Sequence, residues 1–265
     1  MTEQVPAFEG CALEGDASGL YRLEIRGGKG LNILSSAVTR DLTEALRWLR
    51  GRREARALLL RGAGRRAFAG GADIGEMARL DPASARAFIT RLSDLCETLR
   101  ALPVPSVAAI SGFCFGAGLE VAAACDLRLC SSDARFGMQE VRLGIPSVIH
   151  AALLPRLIGP GAANWLLLTG ETVDAAQAER WGLVQAVAEP EALDALAERT
   201  LQSILACGPE AIRAQVALLR GWEEAPLAEA LTRSIAAFGA AFEGAEAQSH
   251  LAAFLARKAE GRKPG

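Results

Sequence analysis

The sequence predicts an α/β fold of alternating strands and helices that passes into a helical C-terminal region. Short apolar runs bounded by Gly or Pro, at residues 57–60 and 107–110, read as buried strands. Segments with apolar side chains at helical spacing, 35–50 and 83–101, lie between them. Beyond Pro190 amphipathic helices dominate, so the chain is expected to divide near there into 1–190 and 191–265. With 265 residues, 51% of them hydrophobic, it can bury a full core.

Taken in order, residues 19–27 carry Leu20, Leu23 and Ile25 in a strand-like pattern that ends at the Gly27-Gly28 turn. The helix at 35–50 gathers Val38, Leu42, Ala45, Leu46 and Leu49 on one face and stops at Gly51, a C-cap. After the strand at 57–60 comes Gly62-Ala63-Gly64-Arg65-Arg66-Ala67, which fits the G-x-G-x-x-A turn of dinucleotide folds. Its context argues against NAD, because Gly70 and Gly71 interrupt the helix start that should hold a pyrophosphate. The glycine pair suggests instead a bent chain with the N–H of Ala72 facing a ligand. Met77, Leu80 and Phe88 follow as an apolar stripe of the kind that usually joins a core. The helix at 83–101 uses Ala87, Leu92, Leu95 and Leu99, and residues 127–129 and 134–136 are short strands. Pro209 and Pro226 each open a later helix.

The chemistry concentrates in residues 107–146. There a buried strand runs through Ser111-Gly112 into Gly116-Ala117-Gly118 and a helix of small residues at 119–125. The first N–H groups of such a helix lack internal partners and suit an anion or a developing oxyanion. Glu120 falls in its first turn, where the helix dipole alone would favour a carboxylate. Its flanks, Leu119 and Val121 to Ala124, are apolar, so burial would raise its pKa toward acid/base work. Glu140 is a second carboxylate among apolar neighbours. Histidine occurs only at 150 and 250, which shifts proton transfer to carboxylates and leaves no multi-histidine metal centre within one chain. The six cysteines show no C-x-x-C spacing, so neither disulfides nor a thiolate metal site is expected.

These residues resemble the enoyl-CoA hydratase/isomerase family, the crotonase superfamily. Gly112, Gly116, Gly118, Glu120, Cys125 and Asp126 match its G-x-x-x-G-x-G-x-E-x-x-x-x-C-D pattern. Phe136, Gly137 and Glu140 match F-G-x-x-E, and residues 67–74 match A-F-x-x-G-A-D-[IL]. Three separated motifs agree in order and spacing. The resemblance implies a spiral of repeated ββα units with a C-terminal trimerisation region, hence a homotrimer or a dimer of trimers. It implies Glu120 and Glu140 as the catalytic carboxylates, with Glu120 chiefly activating water and Glu140 supplying the α-proton. It implies Ala72 and Ala117 as oxyanion donors, and Lys29, Leu31, Gly71, Asp73, Ile74 and Gly116 as residues that receive the thioester or CoA. Met77 and His150 are possible pocket residues. The implied activity is hydration of a 2-enoyl-CoA, with isomerisation as the alternative, and needs neither metal nor redox cofactor, since CoA belongs to the substrate. One run departs from the family: Ser147-Val148-Ile149-His150-Ala151-Ala152 stands where hydratases commonly have G-A-G-G-T-Q.

The formal charge of −2 offers no general attraction to nucleic acid or to an anionic membrane. Eight arginines between 47 and 66 are nevertheless opposed only by Glu54, either as a solvated face or as a phosphate site. A catalytically weak, RNA-binding relative is therefore a second class of reading. The first ten residues lack the basic and apolar regions of a secretion signal, and no apolar run approaches the roughly 20 residues of a membrane span, so a soluble cytoplasmic protein is expected.

Overall fold

The computed structural model describes residues 5–260 except Lys29, with the side chains of residues 259 and 260 also left out. Lys29 thus lies outside the described residues. Contacts divide the chain into two compact units, residues 1–201 and 202–265.

The first unit is a spiral of two sheets. Strand β1 (Cys11–Gly15) pairs antiparallel with β2 (Leu20–Ile25). Helix α1 (Ser36–Arg50) follows; the Ser35 side chain caps its start, and Gly51 closes it in right-handed rather than left-handed geometry. Then come β3 (Ala57–Gly62), β4 (Ala67–Ala69), the short α2 (Ile74–Met77) and α3 (Pro82–Arg100). Two more strands, β5 (Ser106–Ile110) and β6 (Phe113–Phe115), lead to α4 (Ala117–Ala124), and β7 (Leu127–Ser131) and β8 (Arg135–Gly137) complete a further pair. After two 3₁₀ turns, at Glu140–Leu143 and Ile149–Leu153, come α5 (Leu154–Thr169), β9 (Thr172–Asp174), α6 (Ala175–Arg180), β10 (Ala186–Ala188) and α7 (Leu193–Leu205).

The larger sheet runs β1-β2-β3-β5-β7-β10 and is parallel from β2 onward; the smaller runs β4-β6-β8-β9, with β9 antiparallel. The pairs β3/β4, β5/β6 and β7/β8 each give a longer strand to the larger sheet and a three-residue strand to the smaller. The central parallel strands β3 and β5 are nearly continuous apolar runs because they are buried on both faces. The three-residue strands leave too little pattern to be read from sequence, and β4, β6, β9 and β10 emerge only from the fold.

Residues 62–67, the dinucleotide-like run, lead into strand β4 rather than into a helix. Asn32, in left-handed geometry (φ 50°), is buried there and donates to the carbonyls of Ala67 (2.7 Å) and Ala63 (3.1 Å). It fixes the approach to β4. Residues 149–169 are long and apolar enough in composition to cross a bilayer, yet Gly159 (φ 76°, ψ 158°) breaks them and Pro160 restarts the helix.

The second unit holds α8 (Pro209–Glu224), α9 (Leu227–Ala240) and α10 (Glu246–Glu260). Glu246 caps α8 by accepting from the N–H groups of Glu210 and Ala211 at 3.1 and 2.9 Å. Leu227, Leu231, Ile235 and Phe238 form an exposed stripe along α9.

Candidate active site

Two backbone segments meet at the mouth of a cavity. Gly70 donates its N–H to the Leu31 carbonyl (2.7 Å), and the Gly71 carbonyl accepts from Leu34 (2.9 Å), which stitches residues 31–34 to the end of β4. Gly71 sits at φ 103°, where only glycine is at ease, and an added Cβ would lie 3.1 Å from the Phe115 carbonyl oxygen. At Gly118 the fit is tighter: a Cβ would stand 2.4 Å from the Ala69 carbonyl oxygen. The start of α4 therefore lies directly against β4. Ala72 and Ala117, one residue beyond Gly71 and Gly116, both line the cavity between these segments. Ala117 is the first residue of α4, so its N–H is one that the helix cannot satisfy.

The cavity measures about 510 Å³. Gly71, Ile74, Met77 and Gly116 line it, and its apolar wall continues through Leu80, Phe88 and Leu92. Met77, Leu80 and Phe88 are pocket wall and core at once, since each also packs on the hydrophobic core. Asp73 stands at the edge as the N-cap of α2, accepting from the Glu76 N–H at 3.0 Å. Glu76 in turn binds the N–H and hydroxyl of Ser36 at the head of α1, which holds α2 in place.

Glu120 and Glu140 both face this cavity. Every residue of α4 is buried, and Glu120 is only 4% exposed. Burial pushes its pKa from 4.5 up to about 8, against the lowering effect of the Ala151 N–H, which donates to Oε1 at 2.9 Å; the nearby Glu140 charge raises it further. Glu140 is half-buried at the head of a 3₁₀ turn. Its Oε2 accepts from the Ser147 hydroxyl at 2.8 Å, and its Oε1 lies 2.6 Å from where a Cβ on Gly116 would sit. Gly116 (φ 50°, ψ −123°) thus leaves room for the carboxylate as well as turning the chain into α4.

His150 does not join them. It is buried in the second 3₁₀ turn, Ile149–Leu153, with Nε2 2.8 Å from Glu97 Oε1 of α3, and is absent from the cavity lining. Desolvation lowers its pKa despite Glu97, which keeps the ring neutral near pH 7. Sequence reasoning missed Ser147 and Ala151; the only signal was their place in the run that departs from the family pattern.

The raised pKa of Glu120 has a stability consequence. Its carboxyl keeps its proton in the folded protein up to about pH 8 but loses it near 4.5 when unfolded. Between these values the folded state binds the extra proton, so stability falls as pH rises through that window. Glu120→Gln removes the term. Its melting temperature relative to wild type is expected to climb between pH 5 and pH 8.5, reflecting a few kcal/mol at most, roughly 1.4 per pKa unit. A gap that does not change with pH would show that Glu120 ionises normally.

Sequence and structure comparisons place the chain in a family. Residues 16–263 match the profile of the enoyl-CoA hydratase/isomerase family. A short-chain-enoyl-CoA hydratase of Clostridium acetobutylicum is 34% identical over 237 residues, covering 89% of this chain and 91% of the relative. A crotonyl-CoA hydratase of Syntrophomonas wolfei is 32% identical over 253 residues, covering 95% and 97%. The crystal structure of an enoyl-CoA hydratase from Mycobacterium smegmatis superposes with a TM-score of 0.90 at 29% identity, covering 97% of this chain and 98% of that one. The chain belongs to the enoyl-CoA hydratase/isomerase family and has its crotonase fold.

Proposed function

We propose that this protein is an enoyl-CoA hydratase that adds water across the double bond of a 2-enoyl-CoA. The observation that carries this reading is the pair of carboxylates facing one cavity beside two backbone N–H groups. Hydration needs one carboxylate to take a proton from water as it attacks the β-carbon, and another to give a proton to the α-carbon. The pair must therefore hold one proton between them. Glu120, with its raised pKa, carries it in the free protein. A water bridging the two carboxylates can pass that proton to Glu140, leaving Glu120 to activate the water and Glu140 to protonate the α-carbon. Enolate charge on the thioester oxygen then falls to the N–H groups of Ala72 and Ala117. The reaction calls on no group beyond the CoA of the substrate.

Two carboxylates favour hydration over isomerisation, since a hydratase uses both and an isomerase can work with one principal base; the relatives named as hydratases support the same reading. The arginines of 47–66 spread over separate surroundings: Arg52 stacks on Trp48, Arg61 pairs with Glu24, and Arg66 reaches the Gly30 turn. Arg66 at that turn suits a CoA phosphate better than the dispersed set suits RNA. The test is a panel of short, medium and branched 2-enoyl-CoA thioesters, followed by loss of the conjugated enoyl absorbance. Turnover of at least one is expected; absence of turnover together with salt-dependent RNA retention would favour the RNA-binding reading.

Assembly as a homotrimer or dimer of trimers belongs to the same reading. The α9 stripe supports it, with Ile235 and Phe238 76% and 70% exposed in the single chain. Sedimentation should give a trimer or hexamer for wild type and a smaller species for Ile235→Asp. A wild-type protein that is active as a monomer would remove the claim.

A further inference from the structure

We infer that Ser147 is a positioning residue for Glu140, so that one short turn sets both catalytic carboxylates. This rests on the hydratase reading. At one end of the turn the Ser147 hydroxyl donates to Glu140 Oε2 at 2.8 Å; at the other, the Ala151 N–H donates to Glu120 Oε1 at 2.9 Å. Between them the Ile149 backbone lies in the left-handed region (φ 41°), a conformation costly for a β-branched residue and held only where its surroundings demand it.

The hydroxyl has a specific task. Glu140 stands at the head of its own 3₁₀ turn, and its Oε1 already rests against Gly116, the residue before the Ala117 donor. With Oε1 in the space that the missing Gly116 side chain leaves, Oε2 is the oxygen that Ser147 holds, and the carboxylate faces the cavity shared with Glu120. Arg142 of the same turn is no substitute, since its guanidinium faces the Thr169 carbonyl and Glu171. The backbone on either side of Ser147 is tied down: Ile145 donates back to the Glu140 carbonyl (3.2 Å), and the Ala151 N–H is shared between Glu120 and the Val148 carbonyl (3.0 Å). Glycine, which the family's G-A-G-G-T-Q run has at this place, would offer the carboxylate no side-chain donor. This chain thus carries a positioning contact that its family pattern lacks.

The experiment measures steady-state hydration of a 2-enoyl-CoA by wild type, Ser147→Ala, Ser147→Thr, Glu140→Gln and the Ser147→Ala/Glu140→Gln double variant. Wild-type turnover tests the hydratase reading, and the inference falls with it if no substrate is hydrated. Given turnover, Ser147→Ala is expected to lower kcat about 10- to 30-fold, the scale of one hydrogen bond to a charged group. KM should stay within about 2-fold, since the contact bears on proton transfer rather than on thioester binding. Ser147→Thr, which keeps the hydroxyl, should recover most of the rate. In the Glu140→Gln background the Ser147→Ala change should cost much less, because its partner has already lost its charge. Wild-type kcat in Ser147→Ala, or an equal loss with and without the Glu140 carboxylate, overturns the inference while leaving the hydratase reading intact.

Discussion

Glu120→Gln and Glu140→Gln are each expected to lower hydration at least about 100-fold, the scale of a lost general acid or base. Glutamine conserves shape and can still accept the Ala151 N–H at 120 or the Ser147 hydroxyl at 140. Folding and CoA binding should therefore survive, so that the rate reports the chemistry. The double variant should be little worse than the poorer single one, because two groups that complete one proton circuit act as a unit. Isomerisation of the double bond separates the roles: if Glu140→Gln abolishes both reactions while Glu120→Gln spares isomerisation, Glu140 is the shared proton donor and Glu120 the water activator. Near-normal hydration by either single variant, with CoA binding intact, would falsify the two-glutamate mechanism.

Removing the Ala117 N–H is expected to cost as much. Ala117→Pro does this with little harm to the helix, because position 117 opens α4 and proline is well tolerated at a first helical position. The residue before a proline must be extended, and Gly116, at ψ −123°, is not helical there. The loss should fall on kcat by about 10²- to 10³-fold, the scale of one deleted oxyanion donor. Ala117→Gly keeps the N–H and should retain most of the activity. Circular dichroism and CoA affinity report whether α4 still forms. A proline variant with an intact helix and wild-type kcat would move oxyanion stabilisation away from Ala117.

Much of this site was legible because its parts are chemically unusual where they stand. A carboxylate between Leu119 and Val121 has to be explained, and so does a glycine pair before Ala72. The strands at β3 and β5 were legible for a related reason, since a sheet covered on both faces selects unbroken apolar runs. His150 shows the limit of that reasoning. Its place in the run that departs from the family pattern made it a possible pocket residue, but ring direction depends on how the 3₁₀ turn is wound, and the turn delivers the ring to Glu97, 53 residues away in sequence.

The sequence by itself determined the types of group available, two carboxylates and a set of glycines, together with the long strands and helices, because periodicity and burial cost act on neighbours along the chain. Only the tertiary structure decided which groups share a cavity and in what state. The pKa of Glu120 depends on how completely α4 is enclosed, and the Ser147 and Ala151 contacts depend on a left-handed Ile149 that no local preference of a β-branched residue would select. Desolvation and hydrogen-bond direction are properties of packed surroundings, so they become defined only when distant segments meet.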